Sequence, residues 1–142
     1  MLSQQEISDR LEIQELMARY AHAVDSRQWD LLDDIFTTDA YIDYSATGGA
    51  AGDPAATKKF LADVLPNFLA YQHLIGNALI TVDGDTATAR SMCHNPMVLS
   101  DGQGGQRVLL NGLWYVDEYV RLDGRWRLRR RHQEKSYQLM VP

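Results

Sequence analysis

Cys93 is the only cysteine in the 142 residues. That excludes an intramolecular disulfide and a cysteine-based zinc site alike. Basic residues are in deficit, with 14 Lys and Arg against 19 Asp and Glu and a formal charge of −5. A general nucleic-acid binder carries the opposite balance, so nucleic acid is not an expected partner. No run approaches the ~20 apolar residues that span a bilayer. Met1-Leu2-Ser3-Gln4-Gln5-Glu6 has neither the basic flank nor the apolar stretch of a signal peptide. A soluble, cytoplasmic protein without membrane contact is the expectation. Internal repeats and low-complexity tracts are missing too, and the length suits a single domain over residues 1–142.

What is present divides the chain in two. The first half reads helical. Ser3 and Glu6 have capping-box spacing, and Ile13, Leu16, Met17, Tyr20, Ala21 and Val24 then recur as one apolar helix face. Asp25-Ser26 interrupts it. A short second helix is expected with Trp29, Leu32, Ile35 and Phe36 on its apolar side, then a brief strand over 38–44. A small-residue loop, 46–52, reads as a lip that could move. Asp53-Pro54 opens a third helix, which Pro66 should kink or shorten.

The second half reads as antiparallel sheet. Asp83-Gly84-Asp85 and Asp123-Gly124 are turn signals. Between them a long strand, 108–122, puts Asn111, Leu113, Tyr115, Asp117 and Tyr119 on one face and Leu110, Trp114, Val116 and Val120 on the other. Gly112 within it suggests a bulge or bend. Helices first and a meander last give an α+β architecture, N-terminal helices packed on a strongly curved antiparallel sheet. Its hollow would suit a small molecule. Tyr20, Asp25, Tyr44, His73 and His94 are the polar groups expected to look into it.

The order Arg19-Tyr20, Asp25, Trp29, Leu32, Phe36-Thr37-Thr38-Asp39-Ala40, His73, Asn77, Gly84-Asp85, Gly112, Tyr115, Asp117, Tyr119 and Asp123-Gly124-Arg125-Trp126-Arg127-Leu128 runs through nearly the whole chain. It resembles the SnoaL-like family of the nuclear transport factor 2-like superfamily. The resemblance implies a cone-shaped, cystatin-like α+β barrel with a deep pocket. It also implies kinship with cofactor-free eliminating enzymes, among them scytalone dehydratase, bile-acid 7α-dehydratase and hexachlorocyclohexane dehydrochlorinase. Asp25 and His73 fall where the family's histidine–aspartate pair belongs, and Tyr20 and Tyr44 match the two tyrosines of the dehydratases. The dehydrochlorinase has lysine at the position of Tyr20, so the sequence leans toward the dehydratases. Arg131 stands roughly where the dehydrochlorinase carries a functional arginine. His94 matches, loosely, the second histidine of scytalone dehydratase. Substrate contact is therefore expected from His94, Asn111, Tyr115 and Arg131.

The chemistry is also readable without the family. A neutral imidazole is a competent base near neutral pH, and a carboxylate on its other nitrogen fixes the tautomer. Tyrosine hydroxyls can donate to an oxygen that gains enolate charge. These groups support proton abstraction followed by loss of a β-leaving group, with no cofactor or metal required. The four histidines show no paired ligand spacing, so no metal site is expected.

Plainer readings stand beside these. Tyr20 could be core packing, Asp25 could cap the second helix, and His73 could be a satisfied buried histidine. Three functions are open: a lyase on a hydrophobic oxygenated small molecule, a ketosteroid-isomerase-like proton shuttle, and a non-catalytic ligand-binding or assembly subunit. Self-association as a dimer or trimer is expected, because the apolar outer strand face needs a cover.

Overall fold

A computed structural model describes residues 1–142. Helix α1 spans Gln4–Asp25, and Ser3 and Glu6 close a full capping box at its start. This satisfies amides that a helix start leaves free. Ile13, Leu16, Met17, Tyr20, Ala21 and Val24 are its buried stripe, as the periodicity indicates. The short second helix is a 3₁₀ stretch, Trp29–Asp34, preceded by Gln28, which makes no side-chain cap. Phe36 belongs to strand β1, Phe36–Asp43, not to that turn.

A second 3₁₀ turn, Ser45–Thr47, leads to the two-residue strand β2, Ala51–Gly52, which pairs with β1. Helix α2, Pro54–Val64, starts with the Asp53 side chain accepting from the Ala56 amide. It stops where Pro66 forces the turn Leu65–Asn67.

Five strands follow: β3 Ala70–Tyr71, β4 Leu74–Asp83, β5 Thr86–Ser100, β6 Gln106–Leu122 and β7 Arg125–Val141. The sheet order is β2-β1-β7-β6-β5-β3, with β4 also paired to β5. The expected all-antiparallel sheet is mixed, because β1 runs parallel to β7. A parallel pair needs a long crossover, and β1 and β7 are the first and last strands in chain order, so no local signal marks it.

The β6–β7 register shifts beside Gly112. A methyl there would sit 2.0 Å from the Tyr137 ring, so only glycine lets the ring cross the strand at that bend. The bent sheet closes around α1 and α2, and Ile13, Leu16, Tyr20 and Val24 share one core with Cys93, Leu113, Tyr115, Tyr119, Trp126 and Leu128. No helix is long and apolar enough to cross a membrane.

The closed end of the sheet is tied to α1 by Asp9. This buried carboxylate accepts from Trp126 Nε1 (2.9 Å) and Gln5 Nε2 (3.0 Å) and pairs with Arg121. Burial pushes its pKa up, but those hydrogen bonds and the Arg121 charge outweigh burial and hold it below the ordinary value. A carboxyl depressed in the folded state stabilises above its unfolded pKa, ~3.9, and that share is lost as pH falls through the folded value. Asp9→Ala is expected to cost roughly 1–3 kcal/mol at neutral pH. Thermal melts of both proteins across the acid range check the sign: the gap should narrow below pH ~4 and be constant above it.

Candidate active site

Between the helices and the inner sheet face lies a cavity of ≈ 240 Å³ lined by nineteen residues. Phe60, Leu61, Val64, Leu65 and Phe68 come from α2 and the turn after it; Met97, Leu109 and Leu113 come from the sheet. Tyr20, Tyr44, His73, Asn95, Asn111, Tyr115, Gln133 and Gln138 supply the polar wall. Of the lining residues, none is Asp, Glu, Lys or Arg.

Asp25 is the last residue of α1. A carboxylate there opposes the helix dipole, whose C-terminal end is negative, so helix formation does not explain it. Nor does capping, since the following 3₁₀ turn is preceded by Gln28 and has no side-chain cap. Its partner lies across the cavity wall. Asp25 Oδ2 accepts from the His73 backbone amide at 3.0 Å, and Oδ1 meets His73 Nδ1 at 2.7 Å. An ionised carboxylate has no proton to give, so Nδ1 carries the hydrogen, and in the neutral ring Nε2 is the nitrogen with the free lone pair. The His73 side chain is 9% exposed and that of Asp25 27%. His73 alone of the two lines the cavity. Tyr71 braces this corner: its ring meets the His73 ring edge-on, and its hydroxyl donates to Val24 O at 3.1 Å, one residue before Asp25.

The hydroxyls of Tyr20 and Tyr44 share a hydrogen bond. Whichever donates, the accepting hydroxyl keeps its own proton to give, and accepting a bond makes it a better donor. Burial raises the Tyr20 pKa, and burial together with the Tyr20 hydroxyl pushes Tyr44 well above the ordinary value. Burial does the same to Tyr115. All three hydroxyls are therefore neutral donors near neutral pH.

Behind them sits Arg131, with its guanidinium carbon 4.3 Å from the centre of the Tyr20 ring and 3.9 Å from that of Tyr115. Its Nε and Nη2 each meet the Asp117 carboxylate at 2.8 Å, and the Tyr119 hydroxyl donates to the same carboxylate at 2.8 Å. Burial disfavours its charge, but Asp117 outweighs burial and keeps the guanidinium protonated.

The cavity thus brings together Tyr20, Tyr44, His73, Asn111 and Tyr115, with Asp25 directly behind His73. Two expected substrate contacts need correction. Arg131 is not on the wall; it lies one layer back, covered by the tyrosine rings and neutralised by Asp117. His94 faces the other way, toward Tyr137, whose hydroxyl lies 2.7 Å from its Nδ1. Side chains alternate along β5, and Cys93, Asn95 and Met97 are the buried set. Asn95, one residue on from His94, is the inward group that sequence reasoning missed. Gln133 and Gln138 were missed as well; strand alternation from Arg131 would have pointed to Gln133, but the bulge beyond it hides Gln138. The loop after β1 is held to this wall by Thr47, whose hydroxyl donates to Gln133 Oε1.

Helices closing a curled sheet over a cavity, with a histidine–aspartate contact at its wall, define a pocket protein with a cystatin-like α+β fold. The chain belongs to the SnoaL-like domain family, whose pattern matches residues 5–132. Rv2910c of Mycobacterium tuberculosis, an uncharacterized protein, is 50% identical over 141 residues, 99% of this chain and 95% of its own. A Novosphingobium aromaticivorans protein, provisionally named an aromatic ring hydroxylase, is 31% identical and superposes with a TM-score of 0.84 over 95% of this chain and 94% of that one. A hexachlorocyclohexane dehydrochlorinase, LinA type 2, superposes with a TM-score of 0.85 over 96% and 90% of the two chains. At 23% identity that likeness is one of fold.

Proposed function

We propose that the protein is a cofactor-independent lyase that eliminates water or hydrogen halide from an uncharged, hydrophobic cyclic molecule. The observation that carries this is the double hold of Asp25 on His73, which leaves one basic nitrogen for a cavity without formal charge. In the proposed reaction His73 Nε2 takes a proton from the carbon next to a carbonyl. Asp25 stabilises the imidazolium that results. The Tyr20–Tyr44 pair donates to the carbonyl oxygen as it gains enolate charge. The enolate then re-forms its carbonyl, the carbon–carbon double bond forms, and the β-hydroxyl leaves as water with the proton that His73 had taken.

The family resemblance to dehydratases and the dehydrochlorinase fold support elimination. The ≈ 240 Å³ of the cavity fall below the ~300–1,000 Å³ usual for drug-sized ligands, which favours a one- or two-ring substrate over a steroid. Mass spectrometry of products from a panel of cyclic β-hydroxy ketones tests the proposal. The expected product is lighter than its substrate by one water. In ordinary water a rearranged product of unchanged mass would instead establish an isomerase, and a product heavier by one oxygen a hydroxylase.

A further inference from the structure

The β5–β6–β7 register sets three carboxamides side by side: Asn95 pairs with Asn111, and Asn111 pairs with Gln138. All three line the cavity. Four residues along β6, roughly 13 Å at the strand rise, Tyr115 packs against Tyr20 at the tyrosine corner, whereas Asn95 adjoins His73 through its bond to Gln72 O. Leu113 and Cys93, opposite each other, fill the interval with apolar surface. The wall therefore has a polar corner, an apolar belt and a polar row.

The row is only partly satisfied by the protein itself. Gln138 Nε2 donates to Asn111 Oδ1 at 2.7 Å, which occupies the acceptor of Asn111 and leaves its amide hydrogens without a protein partner. Asn95 Nδ2 donates to Gln72 O at 2.8 Å, which leaves its Oδ1 free. Asn111 is 5% exposed and Asn95 6%. Both residues line the cavity, so these unused polar atoms are where a bound ligand would find partners.

We infer that Asn95, Asn111 and Gln138 form a second polar subsite, which begins beside His73 and binds an uncharged oxygen function on the substrate end away from the carbonyl held by the Tyr20–Tyr44 pair. This rests on the proposed lyase reaction for the direction of the substrate, but its chemistry is separate. A hydroxyl fits best, because it accepts from Asn111 Nδ2 and donates to Asn95 Oδ1. A carboxylate or ammonium does not fit, since no lining residue carries a compensating formal charge. The substrate class is thus a neutral ring compound with oxygen at both ends.

Calorimetric titration with four probes tests this: indane, indanone, indanone with a hydroxyl on the far edge of its benzene ring, and indanone with a carboxylate there. The hydroxyl should tighten binding to the wild type by roughly tenfold over indanone, and the carboxylate should weaken it by at least as much. Asn111→Leu should erase the hydroxyl gain. Gln138→Met, at an exposed position that leaves the fold intact, should reduce it by disorienting Asn111. His73→Gln should leave the gain in place, so failure of the lyase proposal remains distinguishable from failure of this one. A gain that survives both row variants, no gain in the wild type, a preference for the carboxylate, or no binding by any neutral probe would each overturn the subsite.

Discussion

His73→Gln should lower turnover by about 10²–10⁴-fold, the share of a rate that a positioned base supplies, while the thermal midpoint stays near that of the wild type. Glutamine keeps the backbone amide that donates to Asp25 Oδ2 and can still donate to Oδ1, so the corner should remain assembled. What it lacks is the basic nitrogen. Asp25→Asn attacks the same function from behind. An amide can donate to Nδ1 as well as accept, which frees His73 to take the wrong tautomer or turn, and a comparable loss is expected. The two losses should not add, because once the base is absent the group that orients it has nothing to orient. Steady-state kinetics of both single variants and the double variant check this. A double variant slower than the wild type by the product of the two single losses would mean that Asp25 acts on substrate independently of His73.

The second large effect is on stability. Arg131 and Asp117 form a bidentate pair with side chains 1% and 0% exposed. Removing one partner leaves the other charge buried and unpaired, which costs about 3–5 kcal/mol. Arg131→Met should therefore lower the melting midpoint by roughly 6–20 °C at ~2–4 °C per kcal/mol for a chain of this size. Methionine can fill the slot between the Tyr20 and Tyr115 rings, so lost volume is a small part of the effect. Adding Asp117→Leu should recover much of the loss, since the stranded carboxylate goes with it. A melt of the double variant no higher than that of Arg131→Met would show that stacking on the tyrosines, not charge pairing, holds this layer.

Local chemistry was legible in the chain. Ser3 with Glu6, Asp53-Pro54, Pro66, Asp83-Gly84 and Asp123-Gly124 each act within a few residues, and each does what its side chain dictates. Gly112 was legible for the same reason. Asp25 was legible because a carboxylate at the end of a buried helix stripe needs a partner, and His73 provides one.

What stayed hidden depends on register. Alternation along β5 shows that every second residue is inward but not which set, so His94 was taken for Asn95; a shift of one residue exchanges the faces. Arg131 reads like its neighbours Arg129 and Arg130 until β7 pairs with β6 and sets it opposite Asp117. The carboxamide row is invisible in one dimension, because Asn95, Asn111 and Gln138 meet only through two strand pairings and a bulge. The short second helix is a 3₁₀ stretch at Trp29–Asp34, and the apolar spacing that marks it as helical does not say which kind of helix it is.

The central claim, that Asp25 presents His73 as a base to the cavity, can be measured without a substrate. Nitrogen-15 NMR of the imidazoles, at a pH where they are neutral, reads which ring nitrogen carries the proton. The expected spectrum has His73 with its proton on Nδ1 and a bare Nε2, and Asp25→Asn should return it to a mixture of tautomers. A His73 ring protonated on Nε2 in the wild type, or a tautomer balance that Asp25→Asn does not move, would contradict the claim.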